Sequence, residues 1–184
     1  MDRELVTQAR DGDHDAFARL AAGSIGRLNA IARLILNDHA RAEDAVQDAL
    51  VDAWRNLRGL RGPDRFDAWL TRILVRSCQD MRRLDRRRRL VEVPLVDFGP
   101  GIGDLQASVA DADQLERGLR RLTIDQRTVL VLSYYLDLTL ADAAATLGIP
   151  LGTMKSRLSR ATDALRASVD ATERLSAYPA ERLA

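Results

Sequence analysis

Residues 139–161, TLADAAATLGIPLGTMKSRLSRA, carry basic and hydroxyl side chains at spacings suited to binding DNA. Such side chains donate hydrogen bonds to phosphates and to the edges of bases. The pattern predicts two short helices around a tight turn. Thr139 can cap the first helix and Gly148 can end it in left-handed backbone. Pro150 suits the start of the second helix. A helix-turn-helix places its second helix in the major groove.

Polar residues of the second helix are the candidate DNA contacts. Met154, Leu158, Ala161 and Leu165 form one apolar stripe by their spacing, which leaves Ser156, Ser159 and Arg160 facing away from it. Thr153, Lys155 and Arg157 flank this face. The candidate DNA contacts are Thr153, Lys155, Ser156, Arg157 and Arg160. The alternative interpretation is an ordinary helical hairpin whose polar face is only solvated.

The elements that position these residues are predicted to be helices throughout. The 184 residues are 46% apolar but only 4% aromatic, and the apolar residues are mainly Ala, Leu and Val. We expect an all-α protein with two small helical domains, residues 1–90 and 111–170. A flexible linker over 91–110, which contains Pro and Gly, joins them, and a tail, 171–184, follows. The linker could span at most about 70 Å.

Four helices are predicted in the first domain. A short helix ends near Gly12, and Asp13 caps a second helix that runs to about Asn37. The third helix covers about 41–57 with an apolar stripe, and the fourth covers about 64–89. The third-helix stripe is Val46, Leu50, Ala53, Trp54 and Leu57, and the fourth-helix stripe is Phe66, Leu70, Ile73, Leu74, Met81 and Leu84.

Helices are also predicted in the second domain, ahead of the helix-turn-helix. One covers Ala112 to Leu122, and a capping box of Thr123 and Gln126 opens the next, which ends near Asp137.

An acidic row lies on the third predicted helix, opposite its apolar stripe. Asp44, Asp48 and Asp52 are spaced four apart, with Gln47 and Val51 beside them. Such a row, with an amide and an aliphatic contact, can dock a basic partner helix. It is also typical of a solvated face, and both interpretations stay open on these residues alone.

Two basic features follow along the chain. The loop from Arg58 to Arg65, RGLRGPDR, also carries Arg61, and it either accepts an unstacked base of single-stranded DNA or simply connects two helices. On the fourth helix five arginines share one face, where they would contact phosphates and give salt-dependent binding, or be solvated. They are Arg72, Arg76, Arg83, Arg86 and Arg87.

Several function classes find no support in the sequence. Cys78 is the single cysteine, no Cys/His cluster offers a metal site, and no nucleophile with a paired base or phosphate-cradling glycine loop appears. We therefore expect no enzyme, no catalytic residue, no cofactor and no metal. Without a secretory signal or a membrane-length apolar run, we expect a cytoplasmic protein with no membrane insertion.

Four stretches in this order resemble one known family. Over about residues 5–168 the chain resembles the extracytoplasmic-function (group IV) sigma factors of bacterial RNA polymerase. The matching stretches are AFARL, ILNDHARAEDAVQDALVDAWRNL, RFDAWLTRI with the arginine run, and LTLADAAATLGIPLGTMKSRLSRA.

The resemblance implies a promoter-specificity subunit whose partners are core RNA polymerase, promoter DNA and an anti-sigma protein. It implies that Asp44, Gln47 and Asp48 dock on the polymerase. It also implies that the loop with Arg58, Arg61 and Arg65, together with Arg72, Arg76 and Arg83, binds the minus-10 element and the adjacent DNA. It further implies that the minus-35 element is bound by Thr153, Lys155, Ser156, Arg157 and Arg160.

Two rivals remain from the sequence alone. A stand-alone helix-turn-helix regulator would bind DNA without polymerase, and a helical interaction protein would have no DNA role.

Overall fold

The computed structural model describes residues 3–89 and 117–176, with side chains described to residue 81 in the first range and to residue 170 in the second. All regular structure in these ranges is helical, as predicted. Two compact units divide the chain, residues 1–99 and 100–184. The predicted linker over 91–110, most of the predicted helix from Ala112 and the end of the tail lie outside the described residues. None of the described helices is long and apolar enough to cross a membrane.

The described residues of the first unit form four α-helices, and α3 packs against both α2 and α4. They are α1 (Arg3–Arg10), α2 (His14–Leu36), α3 (His39–Asn56) and α4 (Phe66–Arg89). The predicted cap of α2 is confirmed, since the Asp13 carboxylate accepts from the backbone N–H groups of Asp15 and Ala16 at 2.9 and 3.0 Å. α3 begins two residues earlier than predicted because the Asp38 carboxylate caps it, accepting from the Arg41 N–H at 3.0 Å.

Small side chains form the buried seam of α3. Ala42, Ala45, Ala49 and Ala53 are each fully buried, so neighbouring helices approach this face closely. The predicted stripe is confirmed for Val46, Ala53 and Leu57 but is wrong in detail for Leu50 and Trp54, which are only half-buried. The larger apolar residues of α3 suggest one stripe, whereas the helix turns its alanines inward.

The connection from α3 to α4 is more ordered than a simple loop. It consists of two 3-10 turns, Leu57–Gly59 and Pro63–Arg65, and α4 begins at Phe66 rather than at Asp64. In α4 the predicted core residues Phe66, Leu70 and Leu74 are buried, while Ile73 and Met81 are half-buried. The side chain of Leu84 lies outside the described residues.

In the second unit the described residues begin with a helical segment over 117–120. Then come α5 (Ile124–Leu130), which continues as a π-helical turn (Val131–Tyr135), α6 (Leu140–Leu147) and α7 (Leu151–Ser176). The predicted Thr123–Gln126 capping box is present. A Cβ added at Gly118 would lie 3.0 Å from Val169, and the Ser168 hydroxyl donates to the Gly118 carbonyl at 3.0 Å. Glycine at 118 therefore lets the first segment lie directly against α7.

A buried arginine links the start of this unit to α5. Arg127 is only 6% exposed, and its guanidinium donates to the Leu122 carbonyl at 2.6 Å and to the Leu119 carbonyl at 3.3 Å. Since the last carbonyls of a helix lack partners within the helix, the charge stabilises the end of the 117–120 segment.

The buried thiol of Cys78 generates a prediction about reactivity. Burial raises its pKa to about 12, from an ordinary value of 9.0. Because the folded pKa is the higher one, the neutral thiol stabilises the fold fully below pH 9 and this contribution is lost as the pH rises toward 12. We expect no reaction with a disulfide reagent at pH 8 in native protein and complete reaction in urea.

The reference for that measurement is Ser159→Cys in a Cys78→Ala background, because Ser159 is exposed. The reference thiol should react at once without denaturant. Equally fast reaction of native Cys78 would contradict the buried position.

Candidate nucleic-acid interface

The turn of the predicted helix-turn-helix is present between α6 and α7. Gly148 ends α6 in left-handed backbone with φ 63°, and the Ile149 N–H donates back to the Ala144 carbonyl at 3.1 Å. At the other end of α6 the Thr139 hydroxyl accepts from the Asp142 N–H at 3.1 Å and donates to the Asp142 carboxylate at 2.6 Å. The first helix is therefore capped at both ends by the residues predicted to cap it.

The apolar stripe of α7 orients its polar face. Met154 and Ala161 are fully buried, and Leu158 and Leu165 are half-buried. Four of the predicted polar residues are consequently exposed, and these are Lys155, Ser156, Ser159 and Arg160. Thr153 and Arg157 are half-buried, so they stand at the edge of this face and not at its centre.

Hydrogen bonds within α7 hold two of the exposed side chains. The Ser156 hydroxyl donates to the Thr153 carbonyl at 3.0 Å, and Arg160 Nε donates to the Ser156 carbonyl at 3.1 Å. A guanidinium has five N–H donors, so Arg160 is held on the helix and still has donors for a phosphate or a base edge. The arrangement preorients a cation on the exposed face of the second helix.

A second surface lies on α3, opposite the alanine seam. Asp44, Gln47, Asp48 and Val51 are all exposed, and Val51 is 46% exposed. Within the described side chains, Asp44, Gln47 and Asp48 have neither an ion pair nor a hydrogen bond. Asp52, the third aspartate of the predicted row, lies 3.9 Å from Arg55 and is partly neutralised by it. We call Asp44, Gln47, Asp48 and Val51 the acidic face.

A third surface is basic and follows the 3-10 turns. Leu57 and Leu60 are buried and anchor the connection, which leaves Arg58, Arg61 and Arg65 exposed. Arg72 and Arg76 are exposed one turn apart on α4. The side chains of Arg83, Arg86 and Arg87 lie outside the described residues. The five described arginines form what we call the basic surface.

Long-range contacts brace the basic surface. Arg27 on α2 donates to the Asp67 carboxylate at 2.8 Å and to the Thr71 hydroxyl at 2.9 Å. Arg3 on α1 makes a two-bond ion pair with Asp64 in the second 3-10 turn. Sequence patterns do not reveal these residues, because their partners lie 40 to 61 positions away and no local pattern joins them.

Another residue pair was missed beside the same connection. Arg10 and Asp11, at the end of α1, line an open depression together with Arg58. Phe66 is 1% exposed and packs in the core, as its stripe predicts. Trp54 is half-buried, and its ring lies 4.4 Å from the His14 ring, measured between centroids. No group of three or more metal-ligating side chains occurs among the described residues.

Family models match both units of the chain. The model described as Sigma-70 region 2 matches residues 24–89, and the model described as Sigma-70, region 4 matches residues 112–165. A curated relative, the ECF RNA polymerase sigma factor SigM of Mycobacterium tuberculosis, is 36% identical over 160 residues, covering 87% of this chain and 80% of the relative.

Solved structures show the same similarity. CnrH, from a complex with the cytosolic domain of CnrY, has a TM-score of 0.63 at 31% identity, covering 92% of this chain and 97% of CnrH. The curated CnrH sequence is from Cupriavidus metallidurans and is 32% identical over 188 residues. The sigma factor RpoE of Bartonella quintana, in complex with the anti-sigma factor NepR, has a TM-score of 0.68 at 29% identity, covering 84% and 96% of the two chains.

The turn geometry predicts opposite effects for two glycines. Gly148→Ala should lower the free energy of unfolding by about 1 kcal/mol, because a side chain in left-handed backbone is strained. Gly152, within α7, has ordinary helical backbone and no atom within 4 Å of an added Cβ, so Gly152→Ala should be stabilising by up to about 1 kcal/mol. Urea unfolding followed by circular dichroism measures both, and equal destabilisation by the two substitutions would argue against the turn.

Proposed function

Because the chain belongs to the extracytoplasmic-function sigma factors of bacterial RNA polymerase, we propose that its units divide polymerase docking and promoter recognition between them. The chain is a promoter-specificity subunit that binds core polymerase and directs initiation at minus-10/minus-35 promoters. The observation that carries this function is the match of regions 2 and 4, in order, in one chain. In our proposal residues 1–90 act at the polymerase and the minus-10 element, 91–110 connect, and 111–170 act at the minus-35 element.

The acidic face is the proposed docking surface for core polymerase. Asp44, Gln47 and Asp48 are exposed and unpaired within the described side chains, so a partner does not have to displace intramolecular bonds. Val51 adds an exposed aliphatic side chain that a partner can cover. Charged groups around an apolar contact favour a basic partner surface and repel DNA, which supports a protein as the ligand.

The basic surface is the proposed contact for the minus-10 element. Arg58, Arg61 and Arg65 flank the connection that would hold an unstacked base, and Arg72 and Arg76 would contact the adjacent phosphates. We assign Arg83 the same role from its position on α4. The braces from Arg27 and Arg3 hold this surface in place before DNA arrives.

The exposed face of α7 is the proposed minus-35 contact. Lys155, Ser156 and Arg160 supply donors at its centre, and Thr153 and Arg157 supply them at its edge. The turn geometry at Gly148 supports insertion of this helix into the major groove.

An anti-sigma protein is the proposed regulator. CnrH and RpoE were each solved with another protein, and NepR is named as an anti-sigma factor. We propose that such a partner covers the acidic face or the DNA-binding surfaces of this chain. We further propose that the chain acts in the cytoplasm with the polymerase and catalyses no reaction of its own.

The rival functions have weaker support. A stand-alone helix-turn-helix regulator does not explain the match to region 2 over residues 24–89. A helical interaction protein without a DNA role does not explain the match to region 4, with its capped helix-turn-helix.

Charge reversal on the acidic face tests the docking proposal. We expect Asp48→Arg to reduce binding of purified core polymerase at least tenfold in a pull-down, because it would place a cation against a basic partner surface. Circular dichroism should be unchanged, since the residue is exposed and unpaired among the described side chains.

The control is Glu43→Arg, which reverses a charge on the same helix at the margin of the acidic face, one turn before Gln47. Glu43 is exposed and its ion pair is local, with His39 at 3.3 Å. It should bind core polymerase nearly as well as the native chain. Undiminished binding by Asp48→Arg would remove the docking assignment, and failure of the native chain to bind would remove the proposed function.

Truncation on α7 tests the minus-35 assignment. We expect Arg160→Ala to weaken holoenzyme binding at the minus-35 element about tenfold, because one base-edge contact contributes about 1–3 kcal/mol. Arg166→Ala is the control, since Arg166 is exposed on the same helix but lies 3.7 Å from Asp163 on another face. The measurement is promoter affinity with intact and scrambled minus-35 sequences, and equal effects of the two variants would contradict the assigned face.

A further inference from the structure

Two rows of exposed residues run along α7, and both begin in its first turn. Residues four apart lie on the same face of a helix, so each row is continuous. The first row is Leu151, Lys155 and Ser159, and the second is Gly152, Ser156 and Arg160. The later members of both rows are polar, whereas the first turn contributes a leucine and a glycine. These two residues have no role in the polar contacts proposed for this face.

Leu151 is the apolar member of the two rows. It is 44% exposed, and no other described side chain of α7 is both large, apolar and exposed. Its spacing from Met154 would continue the apolar stripe by one turn, yet Met154 is fully buried and Leu151 is not. One exposed leucine is ordinary at a protein surface. This leucine, however, heads a row that continues into the cation of Lys155, and it has no donor of its own to offer a phosphate or a base edge.

Gly152 leaves room beside Leu151 for a ligand to approach the helix closely. Glycine inside a helix is unfavourable relative to alanine. No atom of the described structure lies within 4 Å of a Cβ added at 152, so packing within the chain does not require glycine there. A residue without a side chain lets a ligand come near the backbone. Since Leu151 is the preceding residue, the same approach would bring its side chain to the ligand.

The chemistry of the major groove limits what an exposed leucine can recognise there. The edges of the bases are hydrogen-bond donors and acceptors, except for the 5-methyl group of thymine, which is apolar. Residues at the N-terminal end of a recognition helix contact base edges. Cytosine lacks the methyl group and presents an amino donor, for which leucine has no acceptor. A leucine in the first turn therefore favours an A·T pair over a G·C pair.

We propose that Leu151 packs against the 5-methyl group of a thymine in the minus-35 element and selects that base pair. This inference rests on the proposed function and adds an apolar specificity contact to the polar contacts proposed for α7. Lys155 and Arg160 bind through charge and hydrogen bonds, whereas Leu151 discriminates by covering a methyl group.

The test uses holoenzyme assembled from the full chain and core polymerase. The probe is a double-stranded promoter fragment that this holoenzyme retains from bacterial genomic DNA. Each thymine of its minus-35 element, on either strand, is replaced in turn by deoxyuridine, which lacks only the methyl group. Affinity is measured for the native chain, Leu151→Ala and Gly152→Ala. The matched control is Ile25→Ala, which shortens an aliphatic side chain that is 41% exposed on α2 of the other unit.

The expected loss is specific to one thymine. Deoxyuridine at that position weakens the native holoenzyme about fourfold, the effect of one buried methyl group. Leu151→Ala weakens binding to the thymine fragment by a similar factor, and deoxyuridine then has no further effect, because both changes remove the same contact. Cytosine at that position also weakens native binding, and 5-methylcytosine recovers part of the loss. The slope of log affinity against log salt is unchanged in Leu151→Ala, since no phosphate contact is lost.

Gly152→Ala separates stability from recognition. Its free energy of unfolding should rise, as predicted above, while its affinity for the thymine fragment falls and the deoxyuridine effect shrinks. The added methyl group would hold the first turn away from the groove. Native affinity in Gly152→Ala would contradict the close approach on which the leucine contact depends.

Other outcomes would overturn the assignment of Leu151. Native holoenzyme that is indifferent to every deoxyuridine substitution would show that no thymine methyl group is read. A deoxyuridine effect that is undiminished in Leu151→Ala would assign the methyl group to another residue. If Leu151→Ala weakens core polymerase binding without DNA, the leucine contacts a protein. Loss of the deoxyuridine effect in Ile25→Ala would show that the effect is not local to α7. Failure of the native chain to bind core polymerase would instead remove the proposed function, and this inference with it.

Discussion

Burial of the alanine seam on α3 determines which side chains of α3 and α4 are exposed to a partner. Ala42, Ala45, Ala49 and Ala53 lie within close packing distance of neighbouring helices, and the 3.6-residue period then places the acidic face outward. Rotating α3 to bury Asp48 would desolvate a carboxylate without a partner, which costs several kcal/mol. The same packing holds α4, whose exposed side carries Arg72 and Arg76.

Helix ends were predictable because their causes are local. Asp13, Thr123, Thr139 and Gly148 each act on backbone groups within about four residues, so the starts of α2 and α5 and both ends of α6 follow from short stretches of sequence. The end of α5 does not, because the predicted helix to about Asp137 stops at Leu130 and gives way to the π-helical turn. The exposed positions of the candidate contacts followed in the same way from the apolar period. The start of α3 was missed because Asp38 was not recognised as its cap.

Tertiary contacts account for what sequence patterns could not predict. Arg127 belongs to a residue type that is almost always exposed, and only the packed structure shows it donating to two backbone carbonyls. The contacts made by Arg3 and Arg27 likewise join separate elements. Thr153 and Arg157 flank the exposed face, as their spacing predicts, but the extent to which they are covered depends on the packing around α7.

The acidic and basic side chains lie on separate surfaces, and this separation affects the order in which the chain would bind polymerase and DNA. The whole chain has a net charge of only +1, so long-range attraction to DNA is weak, and the acidic face opposes it further. Each proposed DNA-binding surface is small, and the two surfaces lie on different units of the chain. In our proposal, docking on polymerase brings both surfaces to the promoter and raises the effective concentration of the second contact. A regulator that covers only the acidic face would then silence both proposed DNA surfaces, because it would prevent the docking that brings them to the promoter.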